Sequence, residues 1–306
     1  GMNAGDTTFI LICSALVMLM TVGLALFYAG MVRSKNALGT IMQSFIIIAL
    51  ISLEWILWGY SMAFGPDKWG IIGGLEWFGL RGVGMDPHTV YATTIPHQVF
   101  MIYQCMFAVI TPALITGAFA ERMRFGPFLV FSLLWATFVY NPLAHWIWGD
   151  GGWLGRLGAL DFAGGIAVHV SSGVAALAAA ILLGKREGYG SEELRPHNLP
   201  MTLLGAGLLW FGWFGFNAGS ALSAGSLAGS AFVATHVAGT TGALSWIGME
   251  WRTTGKATTL GGASGAIAGL ATVTPAAGFV GPISAAFIGI LAGVGCYLGI
   301  RAKNRF

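Results

Sequence analysis

The chain has 306 residues, of which 56% are hydrophobic and 9% are charged. A soluble globular domain carries about 25% charged residues, so this chain has too few charges to cover its surface in water. The mean hydropathy of +0.76 leads to the same conclusion, and the excess apolar surface must face lipid. The net charge of +3 does not indicate a nucleic-acid partner, because the basic residues are scattered and form no long basic tract.

Apolar segments long enough to form transmembrane helices occur along the whole chain. A helix needs about 20 apolar residues to cross the hydrocarbon core of a bilayer. The predicted spans, about nine in number, are 7–32, 39–64, 99–120, 125–148, 162–184, 199–221, 226–250, 259–278 and 282–300. The predicted fold class is therefore an all-α integral membrane protein. The long connection between the second and third spans is polar enough to be an ordered loop outside the bilayer.

The basic residues fall mostly in alternate loops. The larger group is Arg33, Lys35, Arg122, Arg124, Lys185, Arg186, Arg195, Arg252, Lys256, Arg301, Lys303 and Arg305. The other loops hold only Lys68, Arg81 and Arg156. Cytoplasmic loops carry an excess of Lys and Arg. The pattern predicts a multi-pass protein of the inner (plasma) membrane, with its amino terminus outside and Phe306 in the cytoplasm.

Two Thr-Pro pairs point to internal symmetry. Thr111-Pro112 in the third span and Thr274-Pro275 in the eighth are five spans apart, and a five-span shift reverses membrane direction, as in an inverted repeat. The alternative is that two prolines occur by chance in glycine-rich helices. If the repeat is real, residues 1–184 form a five-helix half and residues 199–306 a partial second half. Both belong to one membrane domain over residues 1–306.

His169 lies in the fifth predicted span, among small residues that let helices approach closely. Ionisable residues within a membrane are costly and usually functional. A neutral imidazole can accept a proton on one nitrogen and donate from the other. The alternative is a core histidine that is hydrogen-bonded to a neighbouring helix. Asp161 opens the same span, where a carboxylate can cap free N–H groups and can also favour a cation outside.

Three aromatic groups adjoin glycine or polar residues. Trp148 ends the fourth span, Tyr103 and Phe107 lie one turn apart on the third, and Phe216 and Ser220 one turn apart on the sixth. Aromatic faces and a hydroxyl can hold a small monovalent cation through cation–π attraction and a hydrogen bond. Stacked phenyl rings deeper in the membrane would form a dry constriction. Taken singly, such residues are more often membrane-interface belt or core packing, and only the three groups together suggest a cation site.

The remaining polar residues within the spans suggest packing roles. His145 and His236 are interpreted as hydrogen-bonded core residues, whereas Glu54 and Glu250 have no interpretation from sequence. The sequence contains no P-loop, no metal-ligand spacing and no nucleophile elbow. We therefore predict no enzymatic activity, no cofactor and no metal.

The chain resembles the ammonium transporter family (Amt/Mep/Rh), specifically its bacterial and archaeal branch. The resemblance covers nearly the whole chain. The matching stretches are FYAGMVRSKN, ITPALITGAFAERMRF, AHWIWGDGG, GALDFAGG, GKREGYG, PHNLPM, LLWFGWFGFNAGSAL and SGAIAGLATVTPAAGFVGP.

This resemblance implies a homotrimer in which each subunit has its own pore between two inverted halves. Trp148 and Ser220 would form an outer ammonium site, with Tyr103 and Phe107 beside them. A site that deprotonates ammonium before an apolar pore would reject potassium, which has no proton to give up. In the full-length family pattern, a regulatory PII protein is a further partner.

The resemblance also implies roles deeper in the pore. Phe107 and Phe216 would be two stacked gate rings. His169 would be the first of two touching pore histidines on the proton path, and Asp161 would be the family aspartate behind the outer site.

The sequence departs from the family pattern in three respects. Amt proteins usually have eleven spans, so the last two helices, the second pore histidine and the cytoplasmic tail are expected to be missing here. Val22 replaces the usual proline, and Ile166-Ala167 replaces Thr-Val before His169. The alternatives to a channel or transporter are a non-conducting ammonium sensor that signals to a cytoplasmic module, and a shortened scaffold without activity.

Overall fold

Nine long helices account for the predicted spans in the computed structural model, which describes residues 1–303. They are α1 (Ala4–Met31), α2 (Ser34–Phe64), α3 (His97–Phe119), α4 (Phe125–Arg156), α5 (Gly165–Leu183), α6 (Leu199–Ala221), α7 (Ser226–Thr254), α8 (Thr259–Val273) and α9 (Pro282–Lys303). Helices are expected because a backbone in lipid must satisfy its own hydrogen bonds. The all-α fold is confirmed, with boundaries within five residues of the predicted ones except at the end of α4, which lies eight residues past residue 148. Phe306 lies outside the described residues.

Within residues 1–303, seven helices are long and apolar enough to cross a membrane by length and composition alone. The other two are α7 and α8. Helix α7 is rich in Gly, Ser and Thr, and α8 has only 15 residues before a 3₁₀ turn over Thr274–Ala276. Both pack against α6 and against α9. Small residues of this kind let membrane helices approach closely, which suits the packing of α7 and α8 against α6 and α9.

Three helices contain a π-helical turn, at Trp55–Gly59 in α2, Ala136–Tyr140 in α4 and Gly165–Val170 in α5. The first two lie beside Glu54, whose side chain is buried and accepts hydrogen bonds from Asn141 Nδ2 (2.7 Å) and Thr137 Oγ1 (3.2 Å). Glu54, unexplained from sequence, thus joins α2 to α4 within the membrane.

The long connection between α2 and α3 is an ordered loop, as predicted. It contains two short antiparallel hairpins, formed by β1 (Asp67–Lys68) with β2 (Ile72–Gly73) and by β3 (Pro87–His88) with β4 (Ala92–Pro96). A 3₁₀ turn over Phe78–Leu80 separates them.

Asp67 ties this loop to α4. Its Oδ1 accepts a hydrogen bond from Nε2 of His145 at 2.9 Å, and that bond lowers the pKa of Asp67. The other ring nitrogen of His145 lies 2.9 Å from the carbonyl oxygen of Ala63, so His145 is the hydrogen-bonded core residue that was predicted.

His236 does not match its prediction. Its side chain is exposed on the surface of the bundle, against the rings of Trp210 (5.5 Å between centroids) and Phe214 (5.8 Å). The rotation of a helix about its own axis decides whether a side chain faces the core or the surface. The small residues of α7 do not fix this rotation, so the sequence alone could not place His236.

The loops at one end of the bundle, which we call the basic end, are held together by charged groups. These loops are the α1–α2, α3–α4 and α5–α6 connections. Arg33 Nε contacts Glu121 Oε1 at 2.9 Å, and Arg33 Nη1 contacts Glu192 Oε2 at 3.2 Å. Arg122 Nη1 donates to the carbonyl of Gly184 at 2.6 Å. The opposite end, called here the outer end, includes the long α2–α3 loop.

Helices α1 and α6, the first helix of each predicted half, pack closely. Gly205 in α6 is buried, and a Cβ added there would lie 2.8 Å from Cα of Phe27 in α1. Contacts below about 3 Å force a backbone to move, so only glycine permits this separation. The division into halves at residues 1–184 and 199–306 stays a prediction.

We expect Gly205→Ala to destabilise the protein by about 1–3 kcal/mol, because the added methyl overpacks the α1–α6 contact. Gly207→Ala is the matched control, since a Cβ there meets no atom within 4 Å. Thermal unfolding in detergent compares the two variants. Equal midpoints for both would show that α1 and α6 can separate without cost.

Candidate functional site

A cavity of about 170 Å³ opens at the outer end of the bundle. Trp148, Phe107 and Ser220, all singled out from the sequence, line it. The other lining residues are Phe64, Val90, Tyr91, Phe100, Gln104, Phe162 and Leu222. None of these ten side chains is charged. The cavity can therefore offer a ligand aromatic faces and neutral oxygens.

Trp148 is held by the chain that follows α4. The regular part of α4 ends directly after it, at Gly149, and a short helical turn over Trp153–Arg156 completes α4. The loop beyond returns so that Trp148 Nε1 donates to the carbonyl of Asp161 at 2.9 Å. The Trp148 ring meets the Phe107 ring edge to face, with centroids 6.0 Å apart and planes at 84°. One indole face is thus fixed in the cavity wall.

Ser220 lies in the last turn of α6, where its Oγ donates to the carbonyl of Phe216 at 2.9 Å. Tyr103 lies behind it and is not a cavity-lining residue. Its buried hydroxyl is 3.3 Å from Ser220 Oγ and 2.9 Å from the carbonyl oxygens of Gly215 and Phe216. Tyr103 therefore supports the turn that carries Ser220.

Below the cavity, aromatic rings stack in a row. The centroids of Phe107 and Phe216 are 4.3 Å apart, and both side chains are buried. The imidazole of His169 stacks on the Phe216 ring, with centroids 5.8 Å apart and planes at 16°. The order is cavity, Phe107, Phe216, His169. Three helices, α3, α6 and α5, supply the three rings.

His169 is half-buried and lies in the π-helical turn that begins α5. It is the fifth residue of that helix, about 6 Å from its start, and so nearer the outer end than the predicted span placed it. The ring also contacts Trp213, at 5.6 Å between centroids. Its Nδ1 is buried and has no hydrogen-bond partner among residues 1–303.

Asp161 caps α5 from outside the helix. The helix begins at Gly165, after Gly164 with a φ of 109°, rather than at residue 162 as predicted. The buried carboxylate of Asp161 accepts from the backbone N–H groups of Gly164 (2.9 Å), Ile166 (2.8 Å) and Ala167 (3.1 Å), and also from that of Gly165. The predicted capping role is confirmed, and Asp161 does not line the cavity.

Sequence reasoning missed several cavity residues. Tyr91 comes from the long outer loop, and burial raises its pKa to about 12, so its hydroxyl stays protonated. Gln104 follows Tyr103 in α3, and its Oε1 is buried without a hydrogen-bond partner in the described part of the chain. A polar amide within an apolar span was the available signal for Gln104. No local sequence pattern indicates that Tyr91, a loop residue, packs over the helix bundle.

Asp161→Ala should destabilise the protein by at least ~3 kcal/mol, because four buried N–H groups lose their acceptor. Asp161→Asn should destabilise the protein less, since one side-chain oxygen remains to accept hydrogen bonds. The matched control is Asp150→Ala, an exposed outer-end carboxylate whose loss should leave the midpoint unchanged. Thermal unfolding in detergent measures all three. If the two alanine variants have the same unfolding midpoint, the cap does not stabilise α5.

The model of the Ammonium Transporter Family matches residues 8–306. The ammonium transporter of Bacillus subtilis (strain 168) is 58% identical over 306 residues, which cover 100% of this chain and 74% of that protein. The ammonium transporter Amt1 of Archaeoglobus fulgidus is 52% identical, over 99% of this chain and 75% of that protein.

Among solved structures, Saccharomyces cerevisiae Mep2 matches with a TM-score of 0.92 at 42% identity, over 99% of this chain and 70% of that one. The match therefore includes the whole helix bundle described above. The chain belongs to the ammonium transporter family.

Proposed function

We propose that this chain, an ammonium channel or transporter, binds ammonium in the outer cavity, deprotonates it there and passes ammonia along an apolar path. The order of cavity, Phe107, Phe216 and His169 is the observation that carries the proposal. An ammonium pulse applied to proteoliposomes that hold the chain tests it, with a potassium pulse as the control. A potassium response equal to the ammonium response would contradict it.

Recognition of the cation would rest on neutral groups. The faces of Trp148 and Phe107 attract a monovalent cation, and each such contact contributes about 1–2 kcal/mol when water is excluded. Ser220 Oγ can accept a hydrogen bond from ammonium. We add Gln104, whose unpartnered Oε1 offers a second oxygen in the same cavity. Tyr103 would act indirectly, by holding Ser220 in place.

Passage below the cavity would require loss of the proton. Charge is expensive within a membrane, whereas neutral ammonia is small and can pass between rings. The Phe107–Phe216 pair leaves no open channel, so one ring must rotate for each passage. Beyond the pair, His169 offers a nitrogen with a pKa ordinarily near neutral, which suits proton movement. Asp161 would contribute by fixing the turn that carries His169.

The departure at Ile166-Ala167 is compatible with this proposal. Both residues bond to Asp161 through their backbone N–H groups, at 2.8 and 3.1 Å, and any residue except proline supplies that group. The missing hydroxyl therefore does not loosen the cap.

The cellular setting follows from the same proposal. We place the chain in the plasma membrane as a homotrimer, with the basic end in the cytoplasm and a PII protein as regulator. The positive-inside rule supports this orientation. Both relatives named above are called ammonium transporters, and no observation on residues 1–303 favours a non-conducting sensor.

Trp148→Leu should lower the apparent affinity for ammonium about 5- to 30-fold and weaken its selection over competing ions, since the cation–π face is lost. Trp153→Leu is the matched control, because that tryptophan packs on Trp146 outside the cavity. Current amplitude against ammonium concentration measures both. Unchanged selectivity in Trp148→Leu would remove it from the binding site.

His169→Ala should abolish proton-coupled passage of ammonium, because the ring below the gate is the proposed proton carrier. His236→Ala, an exposed histidine on α7, is the control. The ammonium-evoked current in proteoliposomes is the measurement. An undiminished current in His169→Ala would remove that residue from the proton path.

A further inference from the structure

Glu54 is a buried ionisable residue that the proposed ammonium path does not use. Only 1% of its surface is exposed, and it does not line the outer cavity. It lies ten residues before Phe64, the end of α2, which is about 15 Å along the helix. The hydrocarbon core of a bilayer is about 30 Å thick, so this carboxyl group lies well inside it. An ionised carboxylate in such a position is costly.

No positive charge compensates Glu54. It forms no ion pair with Lys, Arg or His within residues 1–303. Helices α1 and α3, which pack against α2, contain no Lys or Arg, and the only one in α4 is Arg156 in its last turn. The titratable side chains that face Glu54 are Cys105 of α3 and Tyr140 of α4, both neutral in their usual forms. An ionised Glu54 would therefore be an isolated charge.

The hydrogen bonds of Glu54 are concentrated on one oxygen. Oε1 accepts from Asn141 Nδ2 at 2.7 Å and from Thr137 Oγ1 at 3.2 Å. Thr137 Oγ1 itself accepts from Trp58 Nε1 at 3.0 Å. Oε2 is buried without a partner in the described part of the chain, and so is Oδ1 of Asn141. Two acceptors are thus left without a donor, on two groups that a hydrogen bond already joins.

One proton would satisfy both oxygens. A protonated carboxyl group has an O–H donor, which an ionised one lacks. With the proton on Oε2, Glu54 would donate to Oδ1 of Asn141, while Nδ2 of Asn141 still donates to Oε1. The acid and the amide would then be paired by two hydrogen bonds without any net charge. A metal cation fits less well, because hard cations take about six oxygen ligands and only two are free here.

Two π-helical turns position this pair. One, Trp55–Gly59, begins directly after Glu54, and the other, Ala136–Tyr140, ends directly before Asn141. Such turns within α-helices are rare and frequently mark functional sites. A Cβ added at Gly59 would lie 2.5 Å from Glu54 Oε2, so a larger residue there would displace the carboxyl group. The first turn is therefore shaped around the oxygen that lacks a partner.

We propose that Glu54 and Asn141 form a proton-binding site within the membrane, where one proton is shared between the carboxyl and amide groups and joins α2 to α4. The site is independent of the outer cavity and of the proposed ammonium path. It makes the α2–α4 contact sensitive to pH. The folded chain holds a proton that an unfolded chain releases at neutral pH, so a rise in pH favours unfolding.

Infrared spectroscopy of the detergent-solubilised chain at neutral pH tests for the proton, because a protonated carboxyl group has a carbonyl band that a carboxylate lacks. The variant is Glu54→Gln, whose amide supplies a donor and an acceptor but does not titrate. The matched control is Glu76→Gln, an exposed outer-loop glutamate paired with Lys68 at 2.8 Å. We expect the band of one protonated carboxyl group to be lost in Glu54→Gln and kept in the control. An unchanged band in Glu54→Gln would overturn the proposal.

Thermal unfolding in detergent over a series of pH values tests the consequence. Between about pH 5 and pH 8, the folded-to-unfolded ratio of the parent chain should fall up to about tenfold per pH unit relative to Glu54→Gln. Parallel curves for the parent and this variant would contradict the site. Stabilisation of the parent by sodium chloride but not by choline chloride would also overturn the proposal, by assigning the two free oxygens to a metal cation.

Discussion

Asp161 anchors two features of the outer half of this protein, the start of α5 through its carboxylate and Trp148 through its backbone carbonyl. It satisfies four backbone N–H groups at the start of α5, which in lipid would otherwise have no partner. The same residue's carbonyl accepts from Trp148. One loop residue therefore sets the indole in the cavity wall and the turn that carries His169. The two features therefore share one anchor.

An outer cavity without charged walls has a chemical consequence for a cation. A carboxylate in the wall would hold ammonium and potassium alike and would stabilise the charged form against deprotonation. Ring faces and neutral oxygens would bind ammonium weakly enough for it to lose its proton. Directly below, the buried Phe107–Phe216 pair would exclude hydrated ions. In the proposed path, selection against potassium thus comes from the proton and not from ion size.

The sequence was sufficient for the fold because composition alone requires membrane helices, and charge placement separates the loops. Trp148 and Ser220 could be singled out since both interrupt apolar helices beside glycines. The start of α5 could not be placed, because it depends on a left-handed backbone at Gly164 and on a cap from the preceding loop. Tyr91 and His236 were missed or misplaced for a related reason. Loop docking and helix rotation are set by tertiary packing and leave no periodic signal.

The close contact between α1 and α6 bears on how the protein moves. Where backbones touch at glycines such as Gly205, two helices cannot slide past each other without clashes along their whole length. Rocking of one half against the other, as in carriers that alternate access, would break this contact at each cycle. Rotation of a phenyl ring is a local event, far faster than a domain motion. The bundle would then act as a rigid frame, and each passage along the proposed path would need only the movement of a few side chains.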